Sequence, residues 1–280
     1  MLRALAAPVV DEEQLFDDVS AARDPVEAGT LASLRATVFR SYGSYRATRP
    51  VASLQPLTVA ADEAALLYSN YERLGRTALV AIRGRVLART RRCALCNVGG
   101  AGTLDHHLPR RRFPEFAILT LNLVPACSRC NTKKGMRYRR SPGRPAFLHA
   151  YFDELPEEPF LVADVSADAG VAVRFRVERL PGMPPELFET VRSHFDRLDL
   201  ATYYVDESME YLREQLLAYY EHFAAGGAGA VREYLRQQAD TCASDKGENY
   251  WKTALARALR GSDEFCAGGF RSIGPYAPVA

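Results

Sequence analysis

Two Cys-x-x-Cys pairs, Cys93/Cys96 and Cys127/Cys130, stand 30 residues apart, and nothing else in the 280-residue chain restricts its fold so sharply. Four thiolates at this spacing suit a closed, tetrahedral structural zinc site, each pair forming one tight knuckle. Between the pairs only short elements fit, and these cannot bury much apolar surface. Metal binding worth on the order of 10 kcal/mol would hold them instead. A site closed by four sulfurs has no open position for a substrate, so its role is expected to be structural. Cys242 and Cys266 lie far away in the C-terminal third and read as small buried hydrophobes.

The net charge of +2 conceals a strong segregation. From Arg76 to Arg144 there are 16 Lys or Arg residues against only Asp105 and Glu115, so this stretch carries +14 and the remainder −12. Such a field attracts polyanions, and it coincides with the cysteine and histidine cluster. Nucleic acid, expected to be double-stranded DNA, is the partner this implies. Arg110, Arg111 and Arg112 form one basic run; Lys133, Arg137, Arg139 and Arg140 form the second. Both are placed to meet a phosphate backbone, which fixes register rather than reading sequence.

No apolar run approaches the roughly 18–20 residues of a membrane span. The patch from Ala4 to Val10 is interrupted by Pro8 and followed by Asp11, Glu12 and Glu13, unlike a signal peptide. The expectation is a cytoplasmic protein with no membrane contact. Residues 12–92 carry mostly helical patterns, with Ala32–Tyr45 and Glu63–Arg89 the clearest and a linker at Arg49–Thr58 between them. Gly75 and Gly84 are the candidate breaks in the second run. TLDHH and NLVPA read as short strands, and a helix is expected from Ser128 to about Tyr138. A β-hairpin follows, turning at Ser166–Gly170, then a long helical region at Glu186–Phe223. A glycine-rich break at Gly226–Gly229 precedes helices near Val231–Cys242 and Asn249–Leu259.

Between the knuckles runs LDHHLPRRRFPEFAILTLNLVPACSRCNTKKG. With its cysteines it resembles the HNH endonucleases. Their core runs Cys-x-x-Cys, Asp-His near a strand end, Asn-Leu-Val, then Cys-x-x-Cys-Asn and a Lys, and the match covers about 45 residues. The resemblance implies a small, zinc-stapled ββα-metal core; with the mainly helical flanks and the later β-hairpin read from the residue patterns, the expected fold is α+β. The corresponding divisions are an N-terminal helical region at 1–92, a nuclease core at 93–144 and a C-terminal region at 145–280. His106 would be the general base, while Asp105 and Asn131 would hold a catalytic Mg²⁺ or Mn²⁺. Asn122 would tie down the loop and orient His106. Lys134 would contact phosphate or stabilise the transition state. Some family members use the second histidine of a His-His pair as base. Counting three residues back from Pro109 favours His106 and leaves His107 a structural or weak phosphate role. His149, His194 and His222 lie outside the motif and read as ordinary surface or packing residues.

Phosphodiester hydrolysis asks for these residue types independently. One hard divalent cation can neutralise the phosphate and assist the leaving oxygen. A neutral imidazole can take the proton of the attacking water. The expected activity is thus metal-dependent endonucleolytic cleavage of DNA. An RNA-cleaving nuclease, and a non-catalytic zinc-stapled module that binds nucleic acid, are the alternatives. Nucleases of this look occur in bacterial and phage settings, which suggests an antiviral defence effector with a regulatory protein partner or a homo-oligomeric state.

Overall fold

The computed structural model describes residues 5–74 and 80–274 and divides after Asp153 into two compact units. In the first unit, Asp11 caps helix α1 (Glu12–Ala21) by accepting from the Glu13 and Gln14 amides. Asp24 does the same for α2 (Pro25–Ala47), whose Pro25 sits in the first turn, where a missing N–H costs nothing. Leu15, Phe16 and Val19 of α1 and Leu31, Leu34, Val38, Tyr42 and Tyr45 of α2 are buried in one core. Helix α3 (Ala61–Arg73) and helix α4 (Val80–Leu87) follow. Gly84 lies inside α4 and does not divide it, while Gly75 falls outside the described residues.

Strand β1 (Thr103–His106) pairs antiparallel with β2 (Leu123–Ala126), setting Asp105 opposite Val124 and His106 opposite Leu123. Asn122, expected at the start of the second strand, belongs instead to a 3₁₀ turn, Thr120–Asn122. Helix α5 (Ser128–Lys134) comes next, so the order is β, β, α. It stops short of Tyr138 because Gly135 adopts φ +53° and ψ −132°, a non-helical conformation open chiefly to glycine. A small hairpin of β3 (Arg139–Ser141) and β4 (Arg144–Pro145) turns at Gly143, φ +73°. Leu104, Leu108, Phe113, Phe116, Leu119, Leu123 and Tyr138 share the core of α1 and α2. The cysteine-bearing segment is therefore packed on the N-terminal helices rather than standing apart from them.

In the second unit the expected hairpin forms from β5 (Leu161–Ser166) and β6 (Ala172–Val177). Asn249 secures its entry, accepting from the Phe160 and Leu161 amides and donating to the Pro156 and Glu158 carbonyls. The long helical region is divided into α6 (Pro185–Arg197), α7 (Leu200–Glu214) and α8 (Leu216–Lys246). The first division falls at Asp199, a non-glycine residue at φ +50°. The expected glycine-rich break falls inside the span of α8, where Gly226 (φ −164°, ψ 25°) and Gly227 (φ +62°, ψ −151°) leave the helical conformation and separate two helical segments. Helices α9 (Trp251–Gly261) and α10 (Asp263–Cys266) complete the unit. Tyr204 is its hub, with Phe175, Phe195 and Trp251 rings at 5.5, 6.2 and 6.4 Å. Cys266 is fully buried as expected, whereas Cys242 is only half-buried. Among the described residues no helix is long and apolar enough to cross a membrane.

One buried acid makes stability depend on pH. The Glu12 carboxylate accepts from the Thr120 amide at 3.1 Å and from the Thr120 hydroxyl. Burial nevertheless outweighs these bonds and raises its pKa to about 7. The folded state thus holds this proton more tightly than the unfolded chain does. That stabilisation is complete below the unfolded value of about 4.5 and fades as pH rises through about 7. Glu12→Gln should therefore melt above the wild type at pH 8, by on the order of 2–3 kcal/mol at most. The difference should close as pH falls to about 4.5. Equal differences at both pH values would show that Glu12 is ionised throughout.

Candidate metal centre and adjoining histidine site

The sulfurs of Cys93, Cys96, Cys127 and Cys130 lie within 4.8 Å of one another, and all four residues are buried and free of disulfides. Cys96 and Cys127 sulfurs are 4.0 Å apart. Tetrahedral Zn–S bonds of about 2.3 Å place sulfurs about 3.8 Å apart, so the cluster is of the right size for that ion. Backbone amides turn toward the sulfurs as knuckle geometry requires: Leu95 N to Cys93, Val98 N to Cys96 and Cys130 N to Cys127, each at 3.4 Å. Donor type, burial and spacing all suit zinc. Cys127 is also the N-cap of α5, so the cluster fixes where that helix begins.

Beside it, Asp105 on β1 and Lys134 at the end of α5 form a buried ion pair. The Lys134 ammonium lies 3.2 Å from Asp105 Oδ1 and 3.0 Å from Oδ2, and donates to the His106 carbonyl at 2.6 Å. Only the Oδ1 contact has hydrogen-bond geometry; Oδ2 is ion-paired with the ammonium but takes no hydrogen bond among the described residues. Burial, opposed by Lys134, raises the Asp105 pKa to about 6. Asn131, one turn earlier on α5, aims its amide NH₂ at Thr103 Oγ1 (3.1 Å) and the Leu104 carbonyl (3.4 Å). Asp105 Oδ2 and the Asn131 side-chain oxygen are hard donors of the kind a divalent ion takes. Lys134, expected to reach phosphate, is instead fully buried against Asp105.

His106 is half-buried, and its Nε2 lies 2.9 Å from the Ala117 carbonyl. A carbonyl only accepts, so Nε2 carries the hydrogen and Nδ1 keeps its lone pair. Burial, and after it the charges of Arg110 and Lys134, lower the ring's pKa to about 3 and hold it neutral. Asn122 stands behind this arrangement with every side-chain valence used. Its Oδ1 accepts from Leu108 N at 2.8 Å, and its NH₂ donates to the Leu108 and Phe116 carbonyls at 3.0 and 3.1 Å. Its backbone carbonyl accepts from His107 N at 2.9 Å. The His107 ring is buried 4.3 Å from that of His149. His149 is therefore not a surface residue. It borders a small recess with Arg49, His107, Phe152 and Asp153. Tyr45 bonds both His149 and Asn122, although nothing in the local sequence sets Tyr45 or His149 apart from ordinary core residues.

The basic residues separate into two groups. Arg110 is tied to Glu72 at 2.7 Å and stacks over Tyr68 and Tyr71, and the Tyr71 ring sits edge-on to His106 at 4.6 Å. Arg137 folds back on the Lys133 and Lys134 carbonyls, and Arg140 on Pro145. Arg139 lies over Tyr138, and Lys133 is half-buried. Arg111 and Arg112 are exposed.

No protein-family model matches the chain, and neither does any solved structure. The chain is similar to Protein ea31 of Escherichia phage lambda, with 26% identity over 190 residues. The match covers 63% of this chain, which spans only 64% of that relative's length.

Cys127→Ser should lower bound zinc well below one ion per chain, measured by elemental analysis, and should unfold the segment around β1 and α5. Unchanged zinc content would exclude the four-sulfur site. Lys134→Met leaves a buried carboxylate uncompensated and should cost about 3–5 kcal/mol in denaturant unfolding. Adding Asp105→Asn should restore part of that loss. If the double variant is no more stable than the single one, Lys134 does not act through Asp105.

Proposed function

We propose that this chain is a metal-dependent endonuclease of the HNH type acting on DNA. The observation that carries the reading is one arrangement. Asp105 and His106 close β1, and Asn131 and Lys134 lie on the helix that packs against it. A four-sulfur cluster pins both elements. Asp105, through Oδ2, and Asn131 would hold a Mg²⁺ or Mn²⁺ ion. When bound, that ion neutralises the phosphate and assists departure of the leaving oxygen.

The chain's own groups do the rest. With Nε2 committed to the Ala117 carbonyl, His106 offers Nδ1 to take a proton from water. Lys134 acts as a positioning residue: it balances Asp105 and grips the carbonyl at the end of β1. Phosphate binding falls chiefly to the exposed Arg111 and Arg112 within the +14 stretch.

Purified protein should nick or linearise plasmid with Mg²⁺ or Mn²⁺ and not with EDTA. His106→Ala should reduce the rate by about 10²–10⁴-fold while retaining the fold and DNA affinity. Loss in His107→Gln but not in His106→Ala would move the base to His107. Cleavage of a structured RNA alone would change the substrate. Binding without cleavage of either would reduce the protein to a zinc-stapled binding module. Replacing Arg111 and Arg112 by Ala should weaken DNA binding uniformly across sequences. It should also flatten the salt dependence, by about 1 in slope for each phosphate that is no longer neutralised.

A further inference from the structure

Three hydrogen-bonding groups from distant parts of the first unit form a buried line behind His106. The Tyr151 amide donates to His149 Nδ1 at 3.2 Å, which leaves the ring hydrogen on Nε2. That hydrogen points at Tyr45 Oη, 3.0 Å away. With this acceptance made, the Tyr45 hydroxyl donates to Asn122 Oδ1 at 3.1 Å; its 3.5 Å approach to the Leu121 carbonyl is the weaker contact. Every donor in the line then meets one acceptor, and each direction follows from the one before it.

Asn122 holds two chain segments at once. Leu108, bonded through both its amide and its carbonyl, lies two residues after His106. Phe116, bonded through its carbonyl, lies immediately before Ala117, the residue whose carbonyl orients the His106 ring. The asparagine therefore fixes the distance between the imidazole and the acceptor that sets its tautomer. Tyr45, fully buried on α2 with its ring 5.0 Å from Phe116, and His149, stacked on Phe152 at 4.3 Å, hold the asparagine in turn.

We propose that Tyr45 and His149 are positioning residues for His106, acting through Asn122 to keep the imidazole hydrogen on Nε2 and the lone pair on Nδ1. The inference rests on the nuclease reading above for its catalytic consequence, but not for its structural one. Neither residue touches the reacting atoms; each acts by holding an amide that holds the ring.

The test compares Tyr45→Phe with Tyr42→Phe in the full chain. Tyr42 lies three residues earlier on α2, equally buried, and its hydroxyl has no hydrogen-bond partner among the described residues, so its loss breaks no line. Two readouts are taken on zinc-loaded protein: single-turnover plasmid cleavage at saturating protein, and ¹⁵N spectra of labelled histidine rings. The His106 signal is identified by its absence in His106→Gln. Tyr45→Phe should slow cleavage on the order of 10-fold with DNA affinity unchanged, and should convert the single Nε2–H signature of His106 into a tautomer mixture. Tyr42→Phe should do neither. His149→Phe, which keeps the stack on Phe152 and removes the donor, should act in the same direction more weakly, and it serves if Tyr45→Phe does not fold. An unchanged His106 spectrum in both variants overturns the proposal, even where melting temperature and activity fall together. If the wild type cuts nothing, the nuclease reading fails, and the ring spectrum still decides the line.

Discussion

Four sulfur atoms within 4.8 Å of one another connect the residues that lead into β1 with those that start α5. The two strands between are four residues each, too short for their own ladder and apolar faces to hold them in register. A metal held by these sulfurs would cross-link both ends, restrict the unfolded chain and fix the phase of α5, on which Asn131 and Lys134 face β1. The positions of Asp105, His106 and Asn131 relative to one another would follow from that constraint.

The cluster is supplemented by buried polar groups whose desolvation is offset by pairing. Lys134 is fully enclosed, and this is tolerable because its ammonium meets a carboxylate and a backbone carbonyl. Asn122, equally enclosed, satisfies both donors and both lone pairs. Networks of this kind specify one arrangement, since each displaced member strands another in low dielectric. An apolar residue at either position would pack, but it would not fix the direction of the His106 ring.

The helical flank is part of the same body. Tyr45 and Phe16 share a core with Leu104, Phe116 and Leu123, so the motif region draws its apolar packing from α1 and α2. Arg110 shows the converse effect of that packing. It belongs to the basic run after Pro109, yet Glu72 and the faces of Tyr68 and Tyr71 hold it against α3. Its charge still contributes to the local field, although its side chain is engaged elsewhere.

Read alone, the amino-acid order determined the four-cysteine cluster, the two short strands, the start of α5 and the C-terminal hairpin. Each rests on local spacing or alternation that survives any tertiary context. It placed Asp105, His106, Asn131 and Lys134 in one short stretch for the same reason. Helix limits at Gly135 and Asp199 were set by backbone dihedrals that the residue pattern only loosely constrains. Tertiary structure alone decided that Lys134 is paired inward, that Arg110 is held by Glu72, and that His149 meets His107. The Tyr45–Asn122 bond spans 77 residues and the Tyr45–His149 bond 104, separations over which no periodicity or motif carries information. Such contacts exist only once the core has closed and every buried donor has had to find its acceptor.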